Sequence, residues 1–369
     1  MVQAFERIGK VTALDTHEIT PETVKDADIL IVRSETKVDQ KLLEGSRIKF
    51  VGTVTIGTDH IDENYLARSG ITFTSAPGSN SNSVAEYITA ALLELSVNKK
   101  YFLSDKTIGV VGVGNVGSKV WRKAEALGMK VILNDPPLQR QGIDYPSQSL
   151  DELMSADIIT VHVPLTRDGA DPTYHLFDEQ RLRKMKQGSI FINTSRGGVM
   201  ETKGLYNVLD SGHLSTSILD VWEAEPTIDV SLLEKVFIGT PHIAGYSLDG
   251  KVNALRMNYS AVCRFLGLSE GQEIETLIPK PAIPTITIEK RSSIEKVVRD
   301  AVQNCYNIVH DDQLLRKINA IPLNDRGKYF SRLRAEYRIR REFRHTRLKI
   351  VDENPAITNT LISLGFSIA

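Results

Sequence analysis

Three short segments place ionisable side chains where apolar runs end. They are 193-NTSRGG-198 with Arg196, 219-LDVWEAEP-226 with Asp220, Glu223 and Glu225, and 239-GTPHIAGY-246 with His242. A histidine has the natural pKa for taking and returning a proton near neutral pH. A nearby carboxylate orients the imidazole and favours the imidazolium, and a guanidinium grips a carboxylate through two donors while polarising an adjacent carbonyl. This is equipment for oxidising a secondary alcohol. The assignment is His242 as acid/base, Glu225 as its partner with Glu223 competing for that role, and Arg196 as the carboxylate anchor. Each residue taken alone also reads as structural: a strand-end histidine, a turn glutamate before Pro226, an arginine capping a helix. His17, His175, His213, His310 and His345 read as surface residues, and His60 and His162 as structural hydrogen-bonders. No metal is expected.

The oxidation needs a hydride acceptor, and the sequence provides for one. The strand-like run 107-TIGVVGVG-114 leads into Gly112, Gly114, Asn115, Val116 and Gly117, a G-x-G-x-x-G pattern between strand and helix. The first glycine permits the tight turn, the second lets backbone N–H groups approach a pyrophosphate, and the third lets helix and strand pack closely. The helix N-terminus then offers unpaired N–H groups and a positive dipole end to the phosphates. Val116, Val120, Ala124 and Leu127 share one helical face, and Gly128 caps its end. The next strand, 130-KVILND-135, ends at Asp135, 18 residues beyond Gly117, where a carboxylate takes the adenosine ribose hydroxyls. Its charge favours NAD over NADP.

The elements that must position these residues follow from the apolar pattern. Short, β-branched, mostly continuous runs recur at 10–14, 28–34, 49–54, 71–76, 107–114, 130–135, 157–164, 189–195, 217–222 and 236–242. Continuous runs suit strands buried on both faces of a parallel sheet, and helical stretches separate most of them. The fold class is therefore α/β: two doubly wound parallel-sheet domains of Rossmann/flavodoxin-like type plus a small C-terminal α+β domain. Longer helices over 83–97 and 248–266 link the first two. The expected division is a substrate-binding domain over 1–84 and 248–280, a NAD-binding domain over 85–247, and a C-terminal domain over 281–369 beyond a proline-rich linker at 278–286.

A net charge of −1, with 41% hydrophobic and 25% charged residues, gives no reason to expect nucleic acid or a membrane surface as partner. No run reaches the roughly 18 apolar residues of a membrane span, and no signal-peptide core opens the chain. Two cysteines, Cys263 and Cys305, suit a reducing, cytoplasmic setting and read as packing residues.

The ordered motifs 52-GTVTIGTDHID-62, G-V-G-N-V-G, N-T-S-R-G-G, D-V-W-E-A-E-P and T-P-H-I-A-G-Y resemble the D-2-hydroxyacid dehydrogenase family over roughly residues 10–267. In that family the matching Arg, Glu and His form the active site. The segments 32-VRSETKV-38, 49-KFVGTVTIGTDHID-62, N-D-P-P and H-I-A-G-Y-S-L-D-G-K, with the extra C-terminal module, resemble the branch that oxidises 4-phospho-D-erythronate to 2-oxo-3-hydroxy-4-phosphobutanoate in pyridoxine biosynthesis. The resemblance implies NAD as cofactor, a phosphorylated hydroxy acid as substrate and a homodimer joined through the C-terminal module. It implies substrate contacts at Ser34, Thr55 and Tyr246, and cofactor contacts at Asn115, Val116, Asp135, Val163, Asp220 and Gly245. Val163 stands where relatives often carry Thr or Ser, so only a backbone contact is expected there. Relatives also carry a strand ahead of the helix matching Val2 to Ile8, whose loss would open the first domain's sheet. The alternatives are a sibling acting on 3-phosphoglycerate, D-lactate or glyoxylate, and a NAD-binding scaffold without catalysis. The basic run 338-RIRREFRHTR-347 reads as a solvated helix face, with one of Arg338, Arg340, Arg341, Arg344 and Arg347 expected to reach the substrate phosphate, a dimer interface being one route.

Overall fold

The computed structural model describes residues 2–270, 279, 281, 283–289, 294–351 and 354–369. Two compact units form. The first comprises Met1–Asn80 with Leu248–Lys280, the second Ser81–Ser247 with Pro281–Ala369.

In the first unit β1 (Ile29–Val32), β2 (Phe50–Thr53) and β3 (Thr72–Thr74) pair in parallel in that order. Val32, Val38, Leu43, Val51 and Leu66 fill its core. The helix Leu248–Leu266 packs on β2, where Asn258 donates to the Thr53 carbonyl at 3.0 Å. The strand expected over 10–14 does not form. Its residues are irregular and mostly exposed, with Leu14 37% accessible, so a short β-branched run found no sheet to join.

In the second unit six strands lie in parallel: β4 (Thr107–Val111), β5 (Lys130–Asn134), β6 (Ile158–Val161), β7 (Ile190–Asn193), β8 (Thr216–Leu219) and β9 (Ile238–Gly239). Their order is β5-β4-β6-β7-β8-β9. The chain first steps one way from β4 and then returns to its other side, so the crevice beyond the carboxyl end of β4 is the topological switch point where ligands bind in such sheets. β6, β7 and β8 are buried at every position, which is why their sequences are β-branched and apolar with only Thr, Ser and Asn among the polar types and no charge.

The C-terminal residues belong to this same unit. β10 (Thr285–Ile288), β11 (Arg347–Ile350) and β12 (Ser367–Ile368) make a small parallel sheet. The helix Ile294–Cys305 packs against Ser81–Lys99, and Arg299 meets the buried Glu94 through two bonds of 3.0 and 3.1 Å. With the sheet on one side and this helix on another, Ser81–Lys99 is buried nearly all round. Asp312 accepts from the backbone N–H of Gly239 at 2.8 Å, closing the exposed edge of β9. The expected linker at 278–286 lies partly outside the described residues, and its last two residues already belong to β10. The basic run 338–347 is not a helix. It is extended to Glu342, makes one tight turn over Phe343–His345 and enters β11, with Arg340 and Glu342 only 3% and 2% exposed.

Candidate active site

Gly112 follows β4 with φ 86° and binds back to the Asn134 carbonyl at 2.8 Å, so the turn needs glycine's left-handed freedom. A Cβ on Gly117 would stand 1.8 Å from the Gly112 carbonyl oxygen, which is the close helix–strand approach the third glycine permits. Around Gly114 nothing lies within 4 Å of such a Cβ, leaving the open space a pyrophosphate needs. Gly114 and Asn115 are exposed and Val116 begins the helix Gly117–Ala126. Val163 borders the turn: a Cβ on Gly112 would meet its side chain at 2.9 Å. Asp135 directly follows β5 and accepts from the N–H groups of Val113 (2.8 Å) and Leu138 (3.0 Å), which fixes its carboxylate beside the glycine turn. These residues fit a dinucleotide.

His242 sits on left-handed backbone, φ 57°, with its N–H bonded to the Asp220 carbonyl at 2.7 Å. Its Nδ1 lies 2.5 Å from Glu225 Oε1, while Glu225 Oε2 accepts from the Trp222 N–H at 3.3 Å. Burial pushes the Glu225 carboxyl up, but the facing His242, the hydrogen bond between them and the charge of Arg334 outweigh it and hold it below the usual range. With Glu225 ionised, the ring proton belongs on Nδ1, and Nε2 has no partner among the described residues. Glu223, the competitor, faces away to His175 Nε2 at 2.5 Å and to the Thr202 N–H at 3.0 Å.

Asp220 holds the histidine loop. It is 1% exposed, and burial raises its pKa. Oδ1 accepts from the Thr240 hydroxyl (2.6 Å) and the Ile243 N–H (2.8 Å), and Oδ2 from the Ala244 N–H (2.9 Å). Thr240 in turn accepts from the buried Tyr87 hydroxyl at 2.7 Å. Asp220 thus positions His242 through the backbone.

Arg196 follows β7. A Cβ on Gly197 would come within 2.0 Å of the Trp222 carbonyl oxygen, so glycine lets the arginine segment lie directly on the segment carrying Glu225. Arg196 is half-buried and donates to the Ser195 carbonyl at 2.9 Å. Gly245 and Tyr246 are half-exposed on the histidine loop, and Tyr246 is gripped by Arg334, a contact no motif announces. His162 is half-buried beside Thr160 (2.9 Å), and desolvation pushes its pKa down to about 3, which keeps the imidazole neutral.

In the first unit, Ser34 is exposed in the turn after β1. The Thr55 hydroxyl donates to the Gly57 carbonyl at 2.8 Å and lies 2.7 Å from Thr53, which also meets His60 Nε2 at 3.0 Å.

Residues 89–244 match the model of the D-isomer specific 2-hydroxyacid dehydrogenase NAD binding domain, and residues 277–365 a domain of unknown function. The chain is 42% identical over 98% of its length to an erythronate-4-phosphate dehydrogenase of Escherichia coli, covering 94% of that protein, and equally to one of Shigella boydii. The chain belongs to the D-2-hydroxyacid dehydrogenase family. Among solved structures, a D-lactate dehydrogenase of Aquifex aeolicus in complex with NAD and lactic acid matches 72% of this chain and 91% of its own at 31% identity and TM-score 0.59. A NAD-dependent formate dehydrogenase of Staphylococcus aureus with bound NAD matches 73% and 88% at 26% identity and TM-score 0.60. This dehydrogenase therefore uses NAD, with the glycine turn of residues 112–117 inside its NAD-binding domain. No helix among the described residues is long and apolar enough to cross a membrane.

Proposed function

We propose that this dehydrogenase oxidises 4-phospho-D-erythronate at C2 to 2-oxo-3-hydroxy-4-phosphobutanoate, a step of pyridoxine biosynthesis, as a cytoplasmic homodimer. The likeness to the erythronate-4-phosphate dehydrogenases supports the substrate. The observation that carries the chemistry is the His242–Glu225 pair at 2.5 Å, with Nε2 left to face a substrate hydroxyl. His242 takes that hydroxyl proton at Nε2, Glu225 stabilises the resulting imidazolium, and Arg196 orients the substrate carboxylate. NAD, when bound, supplies the acceptor for the C2 hydride. Ser34, Thr55 and Tyr246 complete the substrate contacts, and Asn115, Val116, Asp135, Val163, Asp220 and Gly245 the cofactor surroundings.

Purified protein with NAD and a panel of 4-phospho-D-erythronate, 3-phosphoglycerate, D-lactate and glycolate tests the reading by NADH absorbance. The phosphorylated four-carbon acid is expected to give the highest kcat/KM. An equal or higher value with any other acid would reject it.

A further inference from the structure

The C-terminal residues bring one more cation to the histidine loop, within the same unit. Arg334 lies in the last turn of the helix Arg326–Ala335. Its Nη2 donates to the Tyr246 hydroxyl at 3.0 Å, and its guanidinium stands 5.6 Å from the centre of the Tyr246 ring. Its charge is felt at Glu225, the partner of the acid/base histidine. Yet among the described residues no carboxylate pairs with it, and its Nε is closed to solvent without a hydrogen-bond partner.

The neighbouring arginines are differently placed. Arg338 pairs with Asp311 and donates to the Asn307 carbonyl at 3.1 Å. Arg340 also has Nε and Nη1 without hydrogen-bond partners, but it is only 3% exposed, donates through Nη2 to the carbonyls of Ser83 (2.8 Å) and Ala244 (2.7 Å), and stacks 4.2 Å over Tyr306, whereas Arg334 is half-buried. Arg344 meets Glu342 at 3.2 Å, and Arg347 is exposed in β11. Of the five arginines of the run 338–347, Arg338, Arg340 and Arg344 are engaged by groups of the same unit and Arg347 is exposed. Their guanidinium groups hold the module together or face solvent.

A half-buried guanidinium with a closed-off donor and no carboxylate in direct contact is costly to keep. The cost is recovered when an anion arrives with the substrate. Arg196 is the group for the carboxylate, which leaves Arg334 for a second anionic group.

We propose that Arg334 binds the substrate's phosphate and sets the preference of this dehydrogenase for a phosphorylated over an unphosphorylated hydroxy acid. The proposal rests on the substrate reading above. Tyr246 holds the guanidinium in place through its hydroxyl and ring face.

The test is calorimetric binding of 4-phospho-D-erythronate and of D-erythronate to the full-length, NADH-saturated protein, in wild type, Arg334→Gln and Arg334→Lys. Arg334→Gln is expected to weaken the phosphorylated ligand by about 10- to 100-fold, the range for a charged hydrogen bond, and to leave D-erythronate unchanged. Arg334→Lys should fall between, because a point charge replaces a two-pronged donor. NADH affinity and melting temperature should not move, as they would if the residue only braced the fold. A phosphorylated-to-unphosphorylated affinity ratio equal in wild type and Arg334→Gln overturns the role of Arg334 and leaves the substrate reading standing. A wild type that does not distinguish the two ligands overturns both.

Discussion

Two histidines of the second unit share almost every local feature. His242 and His175 both sit on left-handed backbone, φ 57° and 50°, and each has a ring nitrogen 2.5 Å from a glutamate. Both glutamates come from the single segment 219-LDVWEAEP-226. Side-chain exposures of 29% and 25% for one pair and 28% and 28% for the other do not separate them. The difference lies in which nitrogen pairs and in what stands behind. His242 pairs through Nδ1 and its Nε2 has no hydrogen-bond partner among the described residues, whereas His175 spends Nε2 on Glu223 and stacks on Tyr174 with ring centres 4.0 Å apart. Behind His242 stands a buried platform: Asp220 on three donors, Tyr87 behind Thr240, and Arg340 on the Ala244 carbonyl. The same kind of pairing thus leaves Nε2 available on a braced loop in one case and engages it in the other.

The largest test of this contrast replaces each histidine with asparagine, which tolerates left-handed backbone and so avoids adding strain. His242→Asn should lower kcat by about 10³-fold, as loss of a positioned acid/base does. His175→Asn should change stability by no more than about 0.5 kcal/mol and leave turnover intact. Equal losses would erase the distinction.

Next comes the platform. Asp220→Asn replaces one carboxylate oxygen with an amide donor, which then faces the N–H of either Ile243 or Ala244, and should cost about 2–3 kcal/mol in urea unfolding. Turnover should fall with it. Unchanged turnover would show that His242 holds its place without Asp220.

The glutamates sharpen the comparison further. Glu225→Gln should lower kcat by about 10- to 100-fold, since the amide no longer stabilises the imidazolium, while Glu223→Gln leaves kcat unchanged. Both carboxyls are held below their ordinary range, so folding favours the charged form. The stability each contributes is full above the ordinary glutamate pKa of about 4.3 and disappears only as pH falls through the lower folded value. Comparing wild type with each variant by urea midpoint from pH 3 to 7 reads that window. A contribution already gone at pH 5 would contradict the pairing.

The test furthest from the two histidines concerns the network under the His242 platform. Ser83 meets Ser247 at 2.6 Å and Glu342 at 2.7 Å, while the neighbouring Glu86 accepts from the Phe343 N–H at 2.9 Å. Burial, with Glu342 beside it, pushes Glu86 up to about 8. The folded state then binds the extra proton between the ordinary value and the raised one, so stability falls as pH rises from about 5 to about 8. Glu86→Gln keeps the acceptor oxygen and should flatten that slope in thermal melts. An unaltered slope would place the titration elsewhere.

The six strands of the nucleotide sheet were legible because burial on both faces writes itself as mostly apolar, uncharged runs, and β4 to β9 fall inside the expected segments except that β8 starts one residue earlier, at Thr216. The glycine turn was legible because each glycine answers a local steric demand. The run over 10–14 misled because β-propensity says nothing of whether a neighbour strand exists. The run 338–347 misled because a row of arginines has the composition of a solvated helix, while Arg340 and Glu342 are drawn inside by partners some 250 residues earlier in the chain.

By itself the sequence determined the sheet, the phosphate-binding turn, and the kinds of side chain at three strand ends, since each is set by short-range sterics and by periodic burial. Only the tertiary structure decided which glutamate serves which histidine, that Asp220 is a support under the loop, and that Arg334 reaches Tyr246. Two glutamates two residues apart carry the same local information. Their roles diverge only when the packed backbone turns one toward His242 and the other away from it.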